Sequence, residues 1–361
     1  MPKRGLIERL NAGENVLIAN GYMWEFARRG YLALGGYVPE VVIEHPKLVT
    51  QLHEEFVHAG TDVLPAFTYF GHREKMRSIG REAEVEDLNR QALKIARKVA
   101  DRTGSLMAGG VSHTQIYSAD DPATHDKCRA IFKEMIGWAV EEGVDYIMGE
   151  TFSILGEAML ALECIKEYGK GLPAVITLCA HVPDQTLDEV PIPEACRRLE
   201  EAGAVVVGLN CSRGPKTMIP LIREIRKACK GPIAAIPVPF RCHDDCCTYF
   251  SFKDSETDKL LFPNNLECKK CSSDDIREFA TEAKEIGVQY IGLCCGNCSA
   301  YMRDLAEVYG RHPEASRYSC DLSLSFVWGK KKELNKSGDK EFMYMVYGTD
   351  ILYPTVINVP Q

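Results

Sequence analysis

The residues best placed to do chemistry are cysteines at the ends of apolar runs. Cys211 follows Val-Gly-Leu-Asn and precedes Ser-Arg-Gly-Pro, and Cys294 and Cys295 stand within Tyr-Ile-Gly-Leu-Cys-Cys-Gly-Asn-Cys. The runs Ala204–Leu209 and Val288–Leu293 read as buried strands, so all three thiols fall just past strand ends. Thiols converging there can hold a zinc ion and leave one tetrahedral position open, the arrangement of a catalytic zinc site. Cysteine also serves as a small core residue. That is the reading for Cys128, Cys164, Cys179, Cys196 and Cys229, which lie inside expected helices and strands. It suits the adjacent pair poorly, because consecutive side chains point in different directions. Cys298 reads as a spectator beside them.

A second group lies in a stretch without clear period. It contains Cys242-His243-Asp244-Asp245-Cys246-Cys247 and, about twenty residues on, Cys268-Lys269-Lys270-Cys271. That spacing predicts a second, structural zinc held by Cys242, Cys246 or Cys247 together with Cys268 and Cys271. The alternatives are solvent-facing thiols, or a redox pair at Cys268 and Cys271.

Eight strands account for the positions of these residues: Asn15–Ala19, Asp62–Phe67, Leu106–Val111, Val144–Gly149, Ala174–Cys179, Ala204–Leu209, Pro232–Pro237 and Val288–Leu293. Helical periodicity fills the intervals, as in Val49–Ala59, Asp87–Asp101, Cys128–Glu142 and Asp274–Ile286. The alternation predicts an α/β fold, a (β/α)8 TIM barrel over residues 1–311, in preference to an open doubly wound sheet. A Cys-rich insertion at 238–272 follows the seventh strand, and 312–361 reads as a C-terminal extension that packs on the barrel or on another subunit. In a barrel, strands six and eight end on the same rim, where active sites are built.

Composition narrows the partners. The chain has 361 residues, 43 Lys plus Arg against 51 Asp plus Glu, and a formal net charge of -8. A mildly acidic chain without a long basic run is a poor candidate for nucleic acid or an anionic membrane. No stretch approaches a membrane span, and the charged N-terminus is unlike a secretory signal. The expected location is the cytoplasm, where the 15 cysteines stay reduced. Their odd number also speaks against a disulfide framework. Small molecules are the expected partners.

Gly-Leu-Asn-Cys and Gly-Leu-Cys-Cys-Gly resemble the zinc signature of the homocysteine S-methyltransferase family. The opening Leu-Ile-Glu-Arg-Leu-Asn-Ala-Gly-Glu, the phrase Phe67-Thr68-Tyr69 and the run Ala108–Ser112 resemble its betaine–homocysteine branch. The likeness extends from Gly5 to Tyr309 and implies a (β/α)8 barrel. It further implies zinc on Cys211, Cys294 and Cys295, with a substrate thiol as fourth ligand. The metal lowers the thiol's pKa, and the thiolate takes a methyl group from a small onium donor in one in-line displacement. Such a donor calls for an aromatic cage. Tyr22, Tyr37, Phe67, Tyr69 and Phe70 lie at or beyond early strand ends, and three of them (Tyr22, Tyr37 and Phe70) fall where the branch places donor contacts. At Phe70 a phenyl replaces the branch's phenol. Trp24 reads as helix packing. Glu150 matches a glutamate that holds the amino group of homocysteine, and His113 stands where the branch carries an amide.

The chain also departs from the family. The first strand runs Ile18-Ala19-Asn20-Gly21-Tyr22 where the family has Asp-Gly-Gly, so Ala19 is read at the aspartate position and Asn20 with Gly21 as the replacement contact. Thr151 stands where the branch has a tyrosine thought to cap the zinc. The expectation is a zinc-dependent methyltransferase passing a methyl group from betaine to homocysteine, giving methionine and dimethylglycine. S-methylmethionine or another sulfonium donor, or a different thiol acceptor, is the first alternative. A non-catalytic zinc-binding or redox-responsive barrel is the second. A homodimer is the expected assembly.

Overall fold

A computed structural model describes residues 4–318, 320 and 321. Eight parallel strands close into a barrel in sequence order: β1 Val16–Ala19, β2 Val63–Pro65, β3 Leu106–Ser112, β4 Tyr146–Phe152, β5 Ala174–Leu178, β6 Val206–Asn210, β7 Ile233–Ile236 and β8 Tyr290–Leu293. The ring is completed by β8 on β1, with Val16 opposite Tyr290 and Ala19 opposite Leu293. The predicted (β/α)8 barrel is the observed fold.

Alternation along each strand divides the core in two. Val16, Ile18, Tyr146, Met148, Val206 and Tyr290 belong to the packed interior of the barrel. Leu17, Ala19, Ile147, Val207 and Ile291 face the surrounding helices. At the centre, the hydroxyls of Tyr146 and Tyr290 share a 2.6 Å hydrogen bond. Gly208 and Gly292 face inward too, and a Cβ there would come within 2.1 Å of the Ala234 carbonyl oxygen and 2.0 Å of the Ile18 carbonyl oxygen. The glycines of the two cysteine phrases are therefore where strands approach too closely for any side chain.

The helical layer is α1 Leu6–Asn11, α2 Tyr22–Arg28, α3 Val41–Glu44, α4 Pro46–His58, α5 Arg73–Ser78, α6 Val85–Thr103, α7 Pro122–Glu141, α8 Leu155–Tyr168, α9 Ile192–Glu201, α10 Pro215–Ala228, α11 Ser273–Ile286 and α12 Ser299–Val308. Local chemistry sets several boundaries. α7 starts six residues before its expected position because Asp121 caps it, accepting from the Ala123 amide, with Pro122 at its first position. Ser272 and Asp275 form a capping box on α11, and Gly287 ends it in the left-handed region.

One strand departs from expectation in a way that matters to the site. The sequence ends β4 at Gly149, yet the strand continues to Phe152 with a register shift between Gly149 and Phe152. Thr151 has φ 66° within that irregularity. Glu150 thus sits in a bulge, which re-aims side chains near a barrel rim. The segment at 238–272 is irregular, as expected. It carries two single turns of 3-10 helix, Tyr249–Ser251 and Leu266–Lys269, and isolated bridges such as Phe240 to Lys270. Most of the expected C-terminal extension, 312–361, lies outside the described residues. Among the described residues, no helix is long and apolar enough to cross a membrane.

Candidate metal centre and substrate cavity

The end of β6 delivers Cys211 through two successive left-handed residues, Cys211 at φ 61° and Ser212 at φ 60°. The Cys211 amide donates to the Ile236 carbonyl, and the Arg213 amide to the Cys211 carbonyl. On the neighbouring loop, Gly296 at φ 93° turns the chain directly after Cys295. Asn297 then ties that turn to β1 by donating to the carbonyls of Asn20 and Leu293.

These turns bring the three thiols together. Cys211 Sγ lies 3.7 Å from Cys295 Sγ, Cys294 Sγ lies 3.9 Å from Cys295 Sγ, and all three sulfurs are within 4.8 Å of one another. Tetrahedral zinc with Zn–S bonds of about 2.3 Å requires S···S edges of about 3.8 Å. The donor set and its spacing therefore fit zinc. Thiols of Cys179, Cys294 and Cys295 directed at Cys211 hold its pKa well below the usual thiol value. Cys179, read from sequence as core filler, is indeed buried, but it also lines the cavity beside Cys211. His181 adjoins it, with Nε2 3.4 Å from Cys179 Sγ and Nδ1 3.3 Å from Ser212 Oγ.

The loop cysteines behave differently. Cys242, Cys246 and Cys271 are buried, Cys247 is half-buried, and Cys268 is exposed with its thiol on the Asn265 carbonyl. Among the described residues, Cys211, Cys294 and Cys295 are the one group of three or more metal-ligating side chains brought together. No three of the five loop cysteines have their sulfurs within 4.8 Å of one another.

A cavity of about 300 Å³ opens over the triad. Its polar floor is Glu150 with Asn20. Asn20 Nδ2 donates to Glu150 Oε2 at 2.8 Å, and Asn210 Nδ2 approaches the same oxygen at 3.5 Å. Burial, and then the charge of Cys211, push the Glu150 carboxyl up to about 8. Asn20 Oδ1 is buried without a partner. Ala19, by contrast, turns toward the helices, so the strand's alternation makes Asn20 the residue that reaches the site. The sequence reading set Ala19 at the family's aspartate position and named Asn20 as the replacement contact, and Asn20 is the residue that lines the cavity. Thr151 is held by Asn210, whose amide both accepts from the Thr151 N–H and donates to Thr151 Oγ1.

Aromatic rings make up much of the remaining wall. All five expected aromatics line the cavity, as does Gly21, but they differ in freedom. The Tyr22 hydroxyl pairs with His53 Nδ1 at 2.9 Å, and its ring packs on Phe56 and Phe67. Phe67 is stacked on Phe26. Phe70 meets Tyr69 at 4.4 Å and His113 at 4.9 Å, with Lys75 Nζ 4.6 Å from its ring centre. Tyr37 and Tyr69 have hydroxyls that bond none of the described residues. Four further rings line the cavity: Trp24, Tyr249, Phe250 and Phe262. Sequence reasoning puts Trp24 in helix packing and passes over the others. The available signal is aromatic density, Thr-Tyr-Phe-Ser-Phe, in an otherwise polar stretch.

Backbone strain marks the same place. Tyr37, Phe70, Gln115, Thr151 and Cys211 all line the cavity and all have positive φ. Non-glycine residues in that region cost on the order of 1 kcal/mol or more each and gather where geometry serves a site.

Comparison with known proteins agrees with this geometry. A family model described as homocysteine S-methyltransferase matches residues 14–309. Betaine–homocysteine S-methyltransferase 1 of Mus musculus is 35% identical over 312 residues, covering 84% of this chain and 74% of that protein. The S-methylmethionine–homocysteine S-methyltransferase of Pongo abelii is 34% identical over 310 residues, covering 84% and 81%. The fold is shared with the homocysteine methyltransferase MmuM of Escherichia coli in its metallated form. There the TM-score is 0.65 at 16% identity, over 83% of this chain and 99% of the other. The chain belongs to the homocysteine S-methyltransferase family.

Proposed function

We propose that the protein transfers a methyl group from a small onium donor, betaine in the first instance, to the thiol of homocysteine, with zinc held by Cys211, Cys294 and Cys295. The observation that carries this reading is the thiol triad opening into a cavity that has a carboxylate at its floor and aromatic rings in its walls. When bound, zinc supplies a lowered pKa for the acceptor thiol, so that it reacts as a thiolate at neutral pH.

The chain's own residues do the rest by placement. An ammonium group beside Glu150 draws its raised carboxyl back to the ionised form, and the carboxylate, held by Asn20, accepts from that ammonium and fixes the acceptor's sulfur relative to the triad. The aromatic walls exclude water and attract the onium without a strong directional bond. Sulfur then displaces the amine in line. The new S–C bond forms as the N–C bond breaks, and the nitrogen departs with the electron pair. The proton given up by the thiol ends on the dimethylglycine amine. With a sulfonium donor the leaving thioether stays neutral, and the proton goes to solvent. Holding reactants at this geometry is worth several kcal/mol of barrier by itself, roughly 7–11 for well-oriented systems.

The test offers homocysteine with betaine, S-methylmethionine or dimethylsulfonioacetate to zinc-loaded protein and counts methionine by mass. Methionine that is abolished by Cys295→Ala establishes the chemistry and selects the donor. Zinc-loaded protein that makes no methionine from any donor overturns homocysteine as acceptor. S-methylmethionine is the second reading, because the relative named for that donor is as similar to this chain as those named for betaine.

A further inference from the structure

The Cys-rich segment between β7 and α11 carries no assembled metal site, yet it is fastened to the Cys211 turn. The Tyr249 amide donates to the Ser212 carbonyl at 3.1 Å, Thr248 bridges to Arg213, and Thr217 Oγ1 donates to the Cys247 carbonyl at 2.9 Å. The residues held in place this way are aromatic. Tyr249 stacks on Phe240 with centroids 5.6 Å apart and planes at 13°, and meets Trp24 edge-on at 5.6 Å and Phe262 edge-on at 5.7 Å. Phe250 lies against Phe262 at 4.9 Å and is only half-buried.

Packing accounts for the ring contacts of Tyr249 but not for its hydroxyl. Tyr249, Phe250, Phe262 and Trp24 all line the cavity over the thiol triad. The Tyr249 hydroxyl bonds none of the described residues, although the residue is 2% exposed. Enclosed in this way, the phenol stays neutral. A buried phenol and half-buried phenyl in the aromatic part of the cavity wall suit a compact cation whose charge is spread over methyl groups. Ring faces attract that cation, and a phenol oxygen accepts from its polarised C–H bonds.

We propose that Tyr249 and Phe250 form a wall of the methyl-donor site, so that the Cys-rich segment, fixed to the Cys211 turn, selects a compact trimethylammonium or dimethylsulfonium head group. This rests on the onium-donor reading above. It gives the segment a role in specificity.

The test measures binding, not turnover. Zinc-loaded protein without a thiol acceptor is titrated calorimetrically with tetramethylammonium and with betaine. Tyr249→Leu and Phe250→Leu are each expected to weaken both ligands roughly five- to tenfold. Tyr249→Phe keeps the ring face and is expected to stay within about threefold of the parent. Phe250 is less enclosed than Tyr249, so Phe250→Leu is expected to keep the parent's zinc content and melting temperature, and it carries the test if Tyr249→Leu misfolds. Unchanged binding in Phe250→Leu and Tyr249→Leu overturns the wall while leaving the donor reading intact. A parent protein that takes neither ligand overturns the donor reading, and the wall with it.

Discussion

Asn20 Nδ2 donates to Glu150 Oε2 at 2.8 Å, and this bond ties the residue after β1 to the β4 bulge while the amide's Oδ1 stays buried and unpaired. Glu150 and Asn20 thus stand together on the cavity floor, where an ammonium group would be held. Glu150, pushed up to about 8 by burial and then by the charge of Cys211, ionises against a bound ammonium, so Glu150→Gln removes that charge but not the shape and its effect should fall on acceptor binding. The expected loss is about 1.5–3 kcal/mol, or roughly ten- to a hundredfold in acceptor KM. Asn20→Ala should cost less, about 1 kcal/mol, because only a neutral group is lost. Steady-state kinetics with homocysteine varied at saturating donor separates the two. Equal KM values in parent and Glu150→Gln would remove Glu150 from acceptor recognition.

The sulfur spacing leads to a prediction about metal content. Cys295 lies within 4 Å of both Cys211 and Cys294, so Cys295→Ala should lose zinc and methyl transfer together while keeping the barrel. Cys268→Ser with Cys271→Ser should leave zinc content as it is in the parent, because Cys268 is exposed and no three of the loop thiols come together. Elemental analysis of dialysed protein checks both. Loss of one zinc per chain in the double variant would restore the second site.

What can be read from the sequence is the part fixed by local chemistry. Gly208 and Gly292 mark close strand approaches, and the cysteines after them follow at a short distance along the chain, so the triad can be located from residue order alone. Strand periodicity likewise carries the barrel. Ala19 and Asn20 show the limit of that approach. Which of the two faces the cavity depends on strand alternation at the last rung of β1, and a shift of one residue exchanges the answer. The bulge that gives Thr151 its positive φ is beyond reach, because a bulge has no periodic signature. Tyr249 and Phe250 sit in irregular chain, and only tertiary hydrogen bonds to the Cys211 turn bring them to the site.

The inward glycines give a steric prediction. A Cβ on Gly292 would stand 2.0 Å from the Ile18 carbonyl oxygen, and backbone cannot move aside as a flexible side chain does. Gly292→Ala should destabilise the fold by about 3 kcal/mol and weaken zinc retention, since Cys294 and Cys295 follow immediately. Gly137 in α7 is the control, because a methyl group there would meet no atom within 4 Å. Gly137→Ala should stabilise by about 0.5–1 kcal/mol through helix propensity. Urea denaturation of the two variants tests the contrast. A stable Gly292→Ala protein would mean that β8 and β1 can separate.

Two buried histidines give the protein a stability that depends on pH. His53 is enclosed beside Tyr22, and burial pushes it down to about 3. His72, at the start of α5, is also pushed down to about 3, first by burial and then by the charges of His113 and Lys75. In the unfolded chain each titrates near about 6.5. Below that pH the unfolded chain takes up protons that the folded protein cannot, so stability is complete above about pH 6.5 and is lost as pH falls toward about 3. Each histidine contributes about 1.4 kcal/mol per pH unit within that window, or about 4 kcal/mol for the pair between pH 7 and pH 5. Carboxylates titrate in part of the same range, so the informative quantity is the difference between the parent and His53→Gln with His72→Gln. Denaturation at pH 7, 6 and 5 should show a steeper decline in the parent, by close to two protons. Parallel declines would mean that one or both rings are protonated inside the fold, which the unpartnered Nε2 of His53 makes costly.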